Sequence, residues 1–360
     1  MNSKLIESIA DAVLYEGYML YPYRPSAVKN QQRWNFGVVY PPSHGDLSKG
    51  SDLCFMQTQC LVRGTRSSVV VIKVRFLRAV SRQLGKATAP AVPAGIEPEL
   101  EIVETLTVGE KTLQSWQEAI ESEVAVPAAQ IADIVDSPRT EAFVFTGSRD
   151  FEPVADHSGS TVAFVVRTRE TIRGSVQLSA AECGEGQFRV TVAVSNLTPW
   201  DEPAAVPREQ VLLRSLLSAH TILSVSGGEF VSLTDPSPDF QKLASECKNI
   251  GTWPVLVGED RSNDAMLSSP IILYDYPQIA PESPGALFDG TEIDEILALR
   301  ILTLSEDEKR EIRETDARAR EVLERTEMMP EEHFLKLHGV LRGMKPAAGG
   351  GGEHTPEGER

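Results

Sequence analysis

Four cysteines in 360 residues are too few for a disulfide framework, and Cys54, Cys60, Cys183 and Cys247 include no C-x-x-C pair. Basic residues are also scarce. Lys and Arg number 35 against 52 Asp and Glu, giving 35 − 52 = −17, and a balance this acidic disfavours the clustered cationic surface that phosphates require. Nucleic acid is therefore excluded as a general partner. No stretch approaches the roughly 18 consecutive apolar residues of a membrane span. The opening MNSKLIESIADAV is too acidic and polar for a signal peptide, so a cytoplasmic protein is expected. The G-x-S-x-G, Walker, H-E-x-x-H and G-x-G-x-x-G signatures are missing as well. His333 and His338 stand five apart, off the i,i+4 face of a helical zinc pair, and the expectation is no metal and no cofactor.

What is present is enough apolar material for a sizeable core: 41% of the residues are hydrophobic and 6% of the chain is aromatic. Residues 3–20 space Leu5, Ile9, Ala12 and Val13 on one helical face until Gly17, Pro22 and Pro25 end the run. From about 52 to 275 the signal is β. The runs 52–64, 68–80, 141–147, 161–180 and 187–197 are rich in Val, Phe, Ile and Thr, several with period two. ECGEGQ at 182–187 reads as a hairpin turn. FVSLTD, WPVLVG and SSPIILYDYP read as further short strands, and 109–122 and 207–223 as helical insertions, with His220 at a helix–strand junction. After about 286 the pattern is helical, with Thr291/Asp294 and Ser305/Glu308 as capping-box-like starts. The expected class is α+β: a mainly antiparallel β body, sandwich or barrel-like, with an N-terminal helix and a C-terminal helical arm. The parts are 1–45 (helix and aromatic loop), 46–285 (β-rich body with helical insertions), 286–345 (helical arm) and 346–360, a Gly-rich tail expected to be disordered.

Five of the seven tyrosines lie in the first 40 residues. Tyr21, Tyr23, Arg24, Lys29, Arg33 and Trp34 interleave rings and cations, the composition of a protein-binding hot spot, since such side chains combine large area with a polar handle. The same mix could hold an anion, or simply pin a loop to the β body. A second segment, 274–295, opens with Tyr274, Asp275 and Tyr276 and is rich in carboxylates. Paired carboxylates can bind a hard cation or do acid–base work, but the spacing fits no calcium loop, and several acids fall in the first turn of an expected helix.

The strings LYEGYMLYPYRPSAVKNQQRWNFGVVYPP, RGSVQLSAAECGEGQFRVTVAVSNLTPW and the segment from PIILYDYP to VLERTE carry a resemblance over most of residues 10–340. They resemble an uncharacterised bacterial family whose members look like products of accessory genes beside uptake-type NiFe hydrogenase structural genes. That resemblance implies an accessory or assembly factor for a nickel–iron enzyme, its partner a hydrogenase subunit or precursor. It carries over no catalytic residue, and the chain lacks the Cys pairs expected of a dedicated nickel or iron–sulfur carrier.

Two functions follow from these readings. One is a non-enzymatic protein that docks to a large enzyme subunit through Tyr21, Tyr23, Arg24, Lys29, Arg33, Trp34 and the Tyr274–Tyr276 segment. The other is an enzyme, hydrolase-like or a ligand-binding catalyst, with a pocket between the 21–34 and 274–295 loops. A deep pocket lined by both segments with buried carboxylates favours catalysis, and an exposed aromatic surface favours docking.

Overall fold

The computed structural model describes residues 3–15, 34–47, 52–88, 97–109, 111–201, 206–259, 262–278, 301, 303–315 and 317–328. One strand organises them. β1 (Phe55–Ala87) runs for 33 residues, because the two Val/Ile/Phe-rich stretches expected as separate strands form one continuous element. The body is completed by β2 (Leu100–Val103), β5 (Trp116–Gln130), β6 (Arg139–Phe145), β7 (Ser148–Ala155), β8 (Thr161–Arg169), β9 (Ile172–Gly184), β10 (Gln187–Asn196), β11 (Leu217–Val231), β12 (Trp253–Leu256) and β13 (Ala265–Ser269). A separate hairpin pairs β3 (Thr105–Val108) with β4 (Lys111–Gln114). The main sheet has 11 strands in the order β12–β13–β11–β1–β10–β9–β6; β2, β5 and β8 pair with other lengths of β1, and β7 pairs with β8. All the pairings are antiparallel.

A long strand can serve so many partners because it turns a corner. The β1–β11 register jumps from Gly64↔Gly228 to Val69↔Ser226, so Thr65–Ser68 bulge out of the ladder. Gly227 takes φ +75°, and a Cβ on Gly64 would stand 2.6 Å from Ser68 Oγ, so glycine is required on both strands. Ser68 Oγ donates to the Gly227 carbonyl at 2.6 Å and locks the corner. Both arms of β1 then face one core: Met56, Cys60 and Val62 join Ile72, Val74 and Phe76 in a single cluster with β10 and β11. The sheet folds over on itself, with Thr58 Oγ1 donating to Ser268 Oγ at 2.6 Å. It ends in the strands β12 and β6 and does not close into a barrel.

The N-terminal helix α1 (Ser3–Tyr15) lays Ile6, Ile9, Ala10 and Val13 on Ile222, Val255, Val257 and Leu267. At about 25 cal/mol per Å² of apolar area, this stripe is what holds an otherwise marginal short helix in place. Arg75 ties it down, bonding Asp11 at 2.6 Å and Glu121 at 3.4 Å. Residues 16–20, where the helix was expected to continue, lie outside the described residues. A short helix α2 (Pro42–Leu47) follows the β-bridge between Val39 and Leu216.

Neither helical insertion forms as expected. Residues 111–114 and 116–130 are strands, and within 207–223 only α4 (Arg208–Leu212) is helical before β11 begins at Leu217. Between them, α3 (Ile131–Asp136) buries Ile131 and Ile134, and α5 (Gln241–Ser245) follows a single 3₁₀ turn. The SSPIILYDYP run contributes Ser268 and Ser269 to β13, and the rest is a turn.

Of the span expected as a C-terminal helical arm, the described residues form two helices, α6 (Glu306–Thr315) and α7 (Ala317–Glu327). The expected capping box is there: Ser305 N–H donates to Glu308 Oε2 at 2.9 Å and Glu308 N–H to Ser305 Oγ at 3.3 Å. Ile301, Ile312 and Leu323 form a small core, while Lys309 and Arg313 converge on Glu327 at 3.2 and 2.7 Å. The Thr291 start, the helix expected after residue 330 and the 346–360 tail lie outside the described residues.

Candidate functional site

Of the N-terminal group, Tyr21, Tyr23, Arg24, Lys29 and Arg33 lie outside the described residues. Trp34 is described, and it is not an outward-facing contact: it is 3% exposed. Its backbone sits at φ +54°, and its ring joins Leu14, Tyr15, Leu77, Leu212 and Leu217 in a cluster beneath α1. The Arg208 guanidinium donates to its carbonyl at 2.7 Å and pins that unusual conformation. This is the loop-pinning role weighed for the segment, realised at its last residue.

The second segment behaves differently. After β13 the chain reverses at Pro270 and runs back along β12, the edge strand of the sheet. Antiparallel alternation points Pro254 and Leu256 of β12 away from β13. Pro254 has no N–H to offer, and the turn occupies both groups of Leu256. The Leu256 N–H donates to Asp275 Oδ1 at 2.8 Å, and its carbonyl accepts from the Tyr276 N–H at 2.7 Å. An edge that would otherwise recruit another strand is thereby blunted.

Asp275 is the centre of this turn. Its Oδ2 accepts from Ser232 Oγ at 2.5 Å and from Thr234 Oγ1 at 2.6 Å, so one carboxylate fastens three segments together. Tyr276, at φ +55°, donates its hydroxyl to Asn263 Oδ1 at 2.6 Å and rests against the main core. These bonds fix Asp275 and Tyr276 inward, while Tyr274 is 85% exposed and Ile272 is 73% exposed.

Between this turn and the end of β11 lies an open groove of about 940 Å³. Ile272, Tyr274 and Leu256 line it together with Glu229, Asp235 and Ser237. Arg63 at its margin is held by Glu229 at 2.8 Å and lies 4.9 Å over the Phe240 ring. Sequence reading singled out Tyr274, Asp275 and Tyr276 but missed Ile272, Asp235, Glu229 and Asn263. Nothing in SLTDPSPD beyond its turn-forming composition marks Asp235. Trp34 is not among the lining residues, so the expected pocket joining both aromatic segments does not include it.

Among the described residues, no group of three or more His, Cys, Asp or Glu is placed to hold a metal ion, and no helix is long and apolar enough to cross a membrane. Comparison with protein-family models finds no match, and comparison with curated proteins finds none either.

Proposed function

We propose that the protein is a non-enzymatic accessory or assembly protein that docks to a large enzyme subunit, and that the turn Ile272–Tyr276 is part of its docking face. The sequence resemblance makes a NiFe hydrogenase subunit or precursor the partner to test first. The observation that carries the reading is the pair of large exposed side chains, Tyr274 and Ile272, on a turn whose Asp275 and Tyr276 are hydrogen-bonded into the body. Presenting contact residues on a pre-ordered backbone lowers the entropy lost on association, which is how a few exposed rings become binding hot spots.

The enzyme reading draws on the groove, which places the Asp275 carboxylate beside the hydroxyls of Ser232 and Thr234. Yet both oxygens of Asp275 already accept bonds from the protein itself. A carboxylate spent on holding a turn is a poor general base, so the geometry supports docking better.

The test is tagged expression in the native host, with co-purifying proteins quantified by mass spectrometry. Replacing Ile272 and Tyr274 together by alanine should reduce recovery of a specific partner at least tenfold with an unchanged melting temperature, as expected for the loss of about 2 kcal/mol of hot-spot energy. Undiminished recovery would assign docking to another face.

A further inference from the structure

The groove beside Tyr274 has a chemistry that selects among partners. Its lining includes Leu256 and the exposed Ile272 and Tyr274. The lining also carries the acids Glu229 and Asp235. Among the described residues Arg63 is the single cation lining the groove, and its guanidinium is already engaged by Glu229 and stacked over Phe240. Asp275 is consumed inside the turn. That leaves Asp235: among the described residues only its backbone N–H is engaged, donating to Ser232 Oγ at 2.8 Å, and its residue is exposed at the groove's edge.

We infer that this groove takes a basic, apolar segment of a partner chain, with a lysine or arginine directed at Asp235 and apolar side chains laid over Ile272 and Tyr274. The inference rests on the docking reading and specifies its occupant. A long cationic side chain suits this mixed lining, because its methylene stem covers apolar surface while its head reaches a carboxylate. An arginine can also stack on the exposed Tyr274 ring. The whole chain works in the same direction. A formal charge of −17 attracts cationic segments from a distance and repels acidic ones.

The experiment uses the full chain and three labelled peptides of equal length, read by fluorescence anisotropy. One alternates lysine and arginine with leucine and tryptophan. The second keeps the apolar residues and replaces the cations by glutamate. The third keeps the cations and replaces the apolar residues by glycine and serine. The first should bind at least tenfold more tightly than either control. Asp235→Asn should weaken it about fivefold at low salt, and much less at 1 M salt, where the screening length falls to about 3 Å. Tyr274→Ala should weaken it at both salts. Both positions are exposed, and equal melting temperatures will confirm that the variants fold. Equal binding of the acidic peptide, equal binding of the glycine–serine peptide, no binding of the first, or indifference to both variants would each overturn the inference. Its failure is separable from that of the docking reading. A host partner lost with Tyr274→Ala but retained by Asp235→Asn leaves docking standing and removes the basic segment.

Discussion

His220 shows what burial does to a single ionisable side chain. It is fully buried in mid-strand, with Nδ1 3.0 Å from the Ser218 carbonyl. Burial, together with the nearby Arg75 guanidinium, pushes its pKa down to about 4 against the smaller opposing effect of the Ser218 bond. In the unfolded chain the ring titrates near 6.5. The imidazole is therefore neutral in the fold, and only the unfolded state takes up the proton between those values. Stability should be fully present above about pH 6.5 and decline as pH falls towards 4, by up to about 3 kcal/mol for this group. Urea denaturation at pH 7 and pH 5 checks this: His220→Gln should flatten the difference, and an equally steep loss in the variant would assign it to other groups. The sequence placed His220 at a helix–strand junction because the preceding Pro207–Leu216 run has helical spacing, and nothing local announced a strand. Burial acts on the Cys60 thiol as well. It is fully buried, and burial pushes its pKa well above the ordinary thiol range, while Cys54, Cys183 and Cys247 are half-buried. Under native conditions a disulfide reagent should modify these three first, with Cys60 reacting only as the protein unfolds. Fast, complete modification of all four would contradict the packing.

At the scale of elements, the turn on β12 makes the clearest claim. Asp275→Ala removes the acceptor for Ser232, Thr234 and the Leu256 N–H, and should cost about 2 kcal/mol in denaturant unfolding, with an apparent rise in self-association as the edge opens. Tyr274→Ala, one position earlier and exposed, should cost under about 0.5 kcal/mol. Comparable losses for both would mean that the turn is not organised by the carboxylate. The sequence read much of the β body correctly, because alternation in β10 and the Gly-containing 182–187 turn are local signals that the fold obeys. It failed where tertiary pairing decides. Leu217–Leu223 is buried on both faces, and a strand covered on both sides reads as a continuous apolar run indistinguishable from a helix. Residues 116–122 are rich in helix formers, yet they pair in register with Arg82–Phe76 of β1, and that ladder overrides propensity. The break placed at 65–67 marked the Gly64 corner correctly, although the strand continues through it.

Across the whole molecule, Trp34 and Tyr274 stand in different settings. Trp34 closes the interior under α1, whereas Tyr274 stands outside at the edge of the sheet. The tyrosine pattern drew attention to both, but composition cannot tell a ring that pins a loop from a ring offered to a partner. Only the hydrogen bonds of the neighbours separate them, since Asp275 and Tyr276 are bonded into the body while Tyr274 is exposed. The central claim is thus about a place: the partner sits at the β12 edge. Site-specific photocrosslinking tests it most directly. A benzophenone amino acid is installed at position 274 or, as a comparison, at position 144, where Val144 is 53% exposed on β6 at the opposite edge of the sheet. Crosslinking in the native host should give a discrete partner adduct from 274 and none from 144. An adduct from 144 alone, or the same adduct from both, would contradict it.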